Sequence, residues 1–186
     1  WSNSRVAAVC SDADGSAMLM IRNGLLRGLW LQHTMQLDFG YWMTDAPHHE
    51  MLAIFHALSG SLNIIDDKPG VHNKRLLKKF LLPSGRLLLA DKPLTVCEDV
   101  LFEDPFQSKR PCKAFTYKGE CGVIGAFNLD AEGKGLHGIV SSTDVPGLQG
   151  DFFAVYSHQS GFLGSLKVGE ELPIYLKNGQ GDALIF

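Results

Sequence analysis

The sequence predicts an α/β segment, a parallel strand–helix–strand rhythm up to about residue 82, followed by an antiparallel β-sandwich. Three observations lead there. Before Pro83, short apolar runs alternate with a stretch of helical periodicity. After it, short apolar stretches are bounded by Gly, Pro, Asp and Asn, the mark of strands joined by turns. The composition of the 186 residues, 45% hydrophobic, 20% charged and 10% aromatic, is that of an ordinary globular protein and excludes disordered and fibrous classes.

In the first segment, Leu29 to Met35 and Leu62 to Ile65 read as buried strands, with Asp38 beyond the first and Asp66 and Asp67 beyond the second. A helix lies between them. Asp45 offers its N-cap, Pro47 suits its first turn and Glu50 favours its positive end. Met51, Leu52, Ile54, Phe55 and Leu58 recur at helical spacing, and Ser59-Gly60 supplies the stop. The apolar stripe of this helix predicts that the flanking strands are parallel neighbours joined by a right-handed crossover. A second helix is expected from about Asn73 to Phe80, with Leu76, Leu77 and Phe80 on one face and Pro83 barring its continuation. The junction Phe80-Leu81-Leu82-Pro83 is apolar, so a packed boundary is expected and not a flexible linker. Acids just past parallel strands point to a C-terminal rim, where ligands bind in barrels and open α/β sheets.

The second segment offers strands at Arg86 to Ala90, Thr95 to Phe102, Cys112 to Tyr117, Gly122 to Leu129, Gly138 to Ser141, Phe152 to Ser157, Phe162 to Val168, Glu171 to Leu176 and Asp182 to Phe186. Pro83-Ser-Gly85, Lys118-Gly119, Asn178-Gly179 and Gly181-Asp182 are the turn signals between them. Phe152, Phe153 and Tyr156 are expected to pack inward and not to form a sugar-stacking platform. Glu103 and Asp104 suit a turn before Pro105.

Several functions are set aside by charge and spacing. Seventeen basic against twenty acidic residues, a formal charge of -3, supply no basic field for a nucleic acid. No apolar run approaches the roughly 20 residues of a membrane span. Trp1 to Val9 lack the pattern of a secretory signal, and the opening reads as mid-domain sequence. Cys10, Cys97, Cys112 and Cys121 form no CxxC pair; free thiols and a cytoplasmic location are expected, while a hairpin would allow a Cys97–Cys112 or Cys112–Cys121 bridge. His48 and His49, with His33, His56 and His72 nearby, invite a metal reading, but adjacent histidines face different sides of a helix and no His-x-x-x-His pair exists, so no metal site is expected.

From Met35 onward several blocks resemble, in order, the raffinose synthase and alkaline α-galactosidase (seed imbibition protein) branch of glycoside hydrolase family 36. That family carries MQPDWDMF, an HP step and a helix ending in AISGGP, then YVSD, a Gly-x-His-Asn step and LLKKLVLPDG. Here stand MQLDFGYW from Met35, LSGSLNIIDD from Leu58, PGVHN from Pro69 and LLKKFLLPSG from Leu76. CEDVLFEDPF from Cys97 and GVIGAFN from Gly122 resemble the family's RDCLFEDP and GVLGVFN. The resemblance covers about half of the chain strongly and the remainder loosely.

The resemblance implies the C-terminal part of a retaining α-galactosidase or raffinose-synthase-like hydrolase or transferase acting on galactosyl oligosaccharides. Residues 1–82 would be the last βα units of a (β/α)₈ barrel and residues 83–186 its β-sandwich domain. No cofactor is implied. Retaining chemistry needs two carboxyl groups about 5 to 5.5 Å apart, one attacking the anomeric carbon and one protonating the leaving oxygen. The family's nucleophile stands in a Lys-x-Asp motif that this chain lacks. Its acid/base stands in Arg-x-Ser-Asp-Asp-Phe, whose counterpart Ile21-Arg22-Asn23-Gly24 is not followed by the acidic stretch. Ser11-Asp12-Ala13-Asp14 precedes that arginine and fits better the preceding strand's Asn-Thr-Asp motif, which leaves Asp14 as the remaining candidate for general acid, on the wrong side of the arginine. The second aspartate of DWDMF is Gly40, its tryptophan is Phe39, and the Gly-Pro after the helix is Ser61-Leu62. Arg22, Asp38 and Asp67 are retained and are the expected sugar contacts; in a purely structural role Asp38 would cap a strand end and Asp67 a turn. Two rival readings stay open: a non-catalytic binding or structural subunit, and a chain completed by a separate N-terminal polypeptide.

Overall fold

The computed structural model describes residues 16–86 and 89–186, and the backbone of residues 6–8. Two strand–helix–strand units come first. Strand β1 (Val6–Ala8), helix α1 (Ala17–Leu31) and strand β2 (Gln36–Asp38) form one, with β1 parallel to β2. Strand β3 (Tyr41–Trp42), helix α2 (His49–Leu58) and strand β4 (Ile64–Ile65) form the other, again parallel. Helix α3 (Lys74–Lys78) follows.

The parallel arrangement around α2 is as expected, but the strand leading into it is not Leu29 to Met35. Leu29, Trp30 and Leu31 are the last turn of α1, and the strands on this side are β2 and β3. Helix wins there because Ser16 caps it, accepting from the Leu19 amide at 3.4 Å, and because Ile21, Gly24, Leu25 and Gly28 bring one buried face round at helical spacing. A glycine inside a helix costs about 1 kcal/mol against alanine. At Gly24 packing explains it: a Cβ would stand 2.8 Å from the Phe55 ring and 3.1 Å from that of Phe39.

In α2 every residue from Met51 to His56 is buried. Its start differs from the reading of Asp45 as N-cap. Asp45 and Pro47 lie in the preceding turn, and the chain enters the helix through His48 in a left-handed conformation, φ 58. The stop is as read, with Gly60 at φ 67 just past Ser59. Asn73 caps α3, its side-chain oxygen accepting from the Leu76 amide at 3.1 Å.

The rest is antiparallel. Strands β5 (Thr95–Val96), β6 (Cys112–Lys118), β7 (Cys121–Phe127), β9 (Phe152–Ser157), β10 (Leu163–Lys167) and β12 (Gly181–Ile185) form one sheet in the order β10-β9-β12-β7-β6-β5. Strands β8 (Leu136–Val140) and β11 (Leu172–Leu176) form a two-stranded ribbon. Two expected strands differ. Of Thr95 to Phe102 only the first two residues pair; Glu98–Val100 then turn as a 3-10 helix, carrying Asp99 to 3.0 Å from the Lys113 ammonium. The described residues of Arg86 to Ala90 form no strand.

Alternation along β7 and β12 lets one sheet serve two cores. Ile124, Ala126 and Leu184 face the ribbon, meeting Val140 and Leu176. Phe127 faces α2, its ring centroid 6.3 Å from that of Phe55, while small residues let the helix lie close: a Cβ on Gly125 would meet Leu58, and one on Gly181 would meet Met51. The core on this side runs from Ile21, Trp42, Phe55 and Phe80 without a break into Val96, Ala114, Phe127 and Leu129. Phe80 is 9% exposed and its ring lies 6.0 Å from that of Trp42, so the junction is packed at Phe80, but against the expectation Leu81 and Leu82, each 42% exposed, and Pro83 lie at the surface.

Candidate functional site

Asp38 is the last residue of β2, half-buried, and its Oδ1 accepts from the Gly40 amide at 2.8 Å. That bond closes the turn into β3. Gly40 sits at φ 77, a left-handed conformation that a glycine adopts without strain, so the residue standing where the family has its second aspartate is one this turn favours.

Asp67 follows β4 by two residues and holds more. Its Oδ1 accepts from the Thr44 amide and its Oδ2 from the Thr44 hydroxyl, both at 2.7 Å, and Nδ1 of His72 stands 3.0 Å from Oδ2. Thr44 is fully buried, and its hydroxyl oxygen also accepts from the Asn73 amide at 2.9 Å. The Asp67 side chain is only 1% exposed. Covering the carboxylate raises its pKa, but the bonds from the Thr44 hydroxyl and amide and from His72 outweigh that and leave it below the usual carboxylate range. A chain of bonds thus ties the loop after β3, the loop after β4 and the cap of α3 together.

Arg22 lies in α1, with its guanidinium carbon 5.6 Å from the centre of the Phe106 ring and its Nε buried without a hydrogen-bond partner. Among the described residues no hydrogen bond or ion pair joins any two of Arg22, Asp38 and Asp67. Asp14 lies outside the described residues. Thr44 lies in no recognisable motif, and His72, though part of the Gly-x-His-Asn step, is not marked by it as a partner of Asp67; the Thr44–Asp67 bond spans 23 residues, and no local pattern announces it.

Elsewhere, Lys113 is a buried cation, its side chain 6% exposed, with Nζ 2.8 Å from Asp144 and 3.0 Å from Asp99. Cys97, Asp99 and Asp144 offer three possible metal-ligand atoms within 4.8 Å of one another, but the Lys113 ammonium already bridges the two carboxylates. Cys97 and Cys112 are free and buried, and burial pushes the Cys112 thiol up to about 12. Of the histidines, His49 meets the Ala46 carbonyl at 2.9 Å and His72 meets Asp67. A cavity of about 250 Å³ opens between α2, α3 and the sheet, walled by Ala53, Ile54, Leu58 and Phe80, with Glu50, Lys79 and His158 also lining it. Arg22, Asp38 and Asp67 do not line it. No helix among the described residues is long and apolar enough to cross a membrane.

The family profile described as "Raffinose synthase or seed imbibition protein Sip1" matches residues 16–137. The chain belongs to the raffinose synthase and seed imbibition protein family. Among its relatives are a galactinol–sucrose galactosyltransferase of Pisum sativum, 33% identical over 106 residues (56% of this chain, 13% of the relative), and "Probable galactinol–sucrose galactosyltransferase 6" of Arabidopsis thaliana, 30% identical over 175 residues (80% and 23%). The chain therefore spans less than a quarter of these relatives. In fold this member of the raffinose synthase family is similar to the α-galactosidase of Saccharomyces cerevisiae solved with raffinose, at a TM-score of 0.63 and 8% identity, covering 98% of this chain and 58% of that one.

Proposed function

We propose that the chain is the C-terminal part of a protein acting on galactosyl oligosaccharides, with residues 1–82 as the last βα units of a (β/α)₈ barrel and residues 83–186 as its β-sandwich. The carrying observation is that each retained acid lies at the C-terminal end of its own parallel strand, Asp38 closing β2 and Asp67 following β4, the end where barrels gather their ligand contacts. A polypeptide supplying the remaining strands completes the barrel. Exposure of Tyr41, Leu62, Ile64 and Ile65 on and beside the β3–β4 pair supports this, because parallel strands are ordinarily covered on both faces. A cytoplasmic location and a retaining route belong to the same reading.

Within it the acids differ in role. Asp38 and Arg22 contact the sugar, whereas the Asp67 carboxylate is engaged by Thr44 and His72 and shapes the rim from behind. Holding a sugar does not cleave it. General acid catalysis contributes about 10² to 10⁴-fold, and the chain carries neither the nucleophile motif nor the acid/base stretch. The purified 186 residues should therefore show no turnover of an aryl α-galactoside and a weak saturation-transfer NMR signal from raffinose that Asp38→Ala removes. Turnover that vanishes on Asp14→Asn would make Asp14 the acid/base and overturn the division of roles. A raffinose signal unchanged in Asp38→Ala would remove Asp38 from the site.

A further inference from the structure

We infer that His56 is an acid-operated latch: protonation of its ring releases the α2 side of the molecule while the core between sheet and ribbon holds. The side chain is fully buried, stacked on Trp42 at 5.6 Å and 18° and edge-on to Phe55 at 5.6 Å. Neither Nδ1 nor Nε2 has a hydrogen-bond partner. Buried polar atoms are nearly always paired, so this ring is tolerated as a neutral, aromatic plug and cannot carry a charge without an anion beside it.

The surrounding elements supply none. On α2 itself His49 faces the Ala46 carbonyl, and Glu50 stands 3.8 Å from Lys79. From α1 come Arg22, over Phe106, and Arg27; from β3 comes Tyr41, 62% exposed; from the loop after β4 come Asp66, exposed, and Asp67, held by Thr44 and His72. From β7 comes Cys121, exposed. From β12 comes Asp182, whose oxygens accept from the Ser157 hydroxyl and the Gln159 amide, and His158 lies beyond β9. None of them acts on the His56 ring, whose pKa is lowered from 6.5 to about 4 by burial alone.

The sign follows from linkage. An opened form, in which the ring meets water, binds the proton at the ordinary 6.5, and the closed form resists until about 4. Stability from the closed latch is complete above 6.5 and falls as pH drops; the open fraction grows by up to about tenfold per pH unit in that window. The core between sheet and ribbon is built on Ile124, Val140, Val155, Leu176 and Leu184. Among the described residues its one histidine neighbour with a lowered pKa is His158, just past β9 and bonded through its amide to the Ala183 carbonyl of β12, shifted by burial first and then by the Lys79 charge, so the ribbon strands β8 and β11, away from it, are the reference.

Hydrogen exchange on the full chain, normalised to intrinsic rates, tests this. Between pH 7 and pH 5 the α2 amides from Met51 to Leu58 should open about 20-fold more often, while those of the ribbon strands β8 and β11 stay constant. His56→Phe and His56→Gln, neither able to titrate, should both abolish the rise in α2; if one fails to fold, the other decides. A rise that persists in either folded variant overturns the latch. So does an α2 protection independent of pH in the unaltered chain, or an equal rise in β8 and β11.

Discussion

Asp67 grips Thr44 through both carboxylate oxygens, one on the backbone amide and one on the hydroxyl, each at 2.7 Å. The hydroxyl in turn receives the Asn73 amide, so one acid fixes the start of α3 as well as the loop after β3. Hydrogen bonds to a charged group contribute about 1.5 to 3 kcal/mol each, and leaving a buried partner unmatched adds to the loss. Asp67→Ala should therefore lower unfolding stability by about 2 kcal/mol or more, read from the denaturant midpoint. Because these bonds hold the folded pKa below 3.8, their contribution is complete above 3.8 and is lost as pH falls below it. Stability of the Ala variant should consequently lose less than the unaltered chain does over that acid range.

Gly24 is the point where α1 is closest to the rings of Phe39 and Phe55. Alanine would gain up to about 1 kcal/mol in helix propensity, yet its Cβ would press on Phe55, a fully buried ring with no room to withdraw. Gly24→Ala should destabilise by about 1 to 3 kcal/mol. A raised thermal midpoint would show that the ring yields.

Phe80 ties α3 to Trp42 and the shared core. Truncating a buried phenylalanine costs about 3 to 5 kcal/mol, so Phe80→Ala should lose about 3 kcal/mol in urea unfolding; a loss under about 1 would contradict its place in the packing.

Lys113 is the buried cation between Asp144 and Asp99. Burial lowers its pKa, but hydrogen bonds and charge from Asp144 and then Asp99 outweigh that and raise it, so the pair contributes below lysine's ordinary 10.5 and is lost as pH rises past it. Removing one partner of a buried pair strands the other. Lys113→Met should cost about 3 kcal/mol at pH 7, little changed by salt, in calorimetric unfolding.

The antiparallel half was legible because its strands obey a two-residue period and end in turn residues. Phe152 to Ser157 alternates exposed and buried without a fault, which corrects the inward reading of Phe152 and Tyr156, 65% and 39% exposed, and leaves Phe153 alone of the three in the core. Asn178-Gly179 makes the expected turn, carrying the chain from β11 in the ribbon to β12 in the large sheet with Gly179 at φ 66, where a Cβ would run into the His48 ring. Helix α1 was misread because Gly24 and Gly28 look like breakers, when their absent side chains serve contacts with Phe55 and the Leu94 carbonyl. Asp38 and Asp67 were legible as strand-end acids. The Asp38 bond to the Gly40 amide, two residues on, is the local strand-end cap the sequence allowed, whereas the partner of Asp67 lies 23 residues away and only the fold brings Thr44 to it. His56 stood out in the sequence only as one of several histidines inviting a metal reading; its full burial with both ring nitrogens unpartnered depends on the rings of Trp42 and Phe55, which only the fold brings to it.

The double duty of β7 and β12 bears on how this protein could be divided. Their odd and even residues belong to different cores, and the core beneath α2 crosses the exposed stretch Leu81 to Arg86 through space and not through the chain. The peptide link there is therefore not what joins the halves. Only the core beneath α2 is shared across it, while the core between sheet and ribbon is complete within the second half, so a gene split at that point would yield two polypeptides whose bared apolar faces, one from α1, α2 and Phe80 and one from the sheet, fit each other.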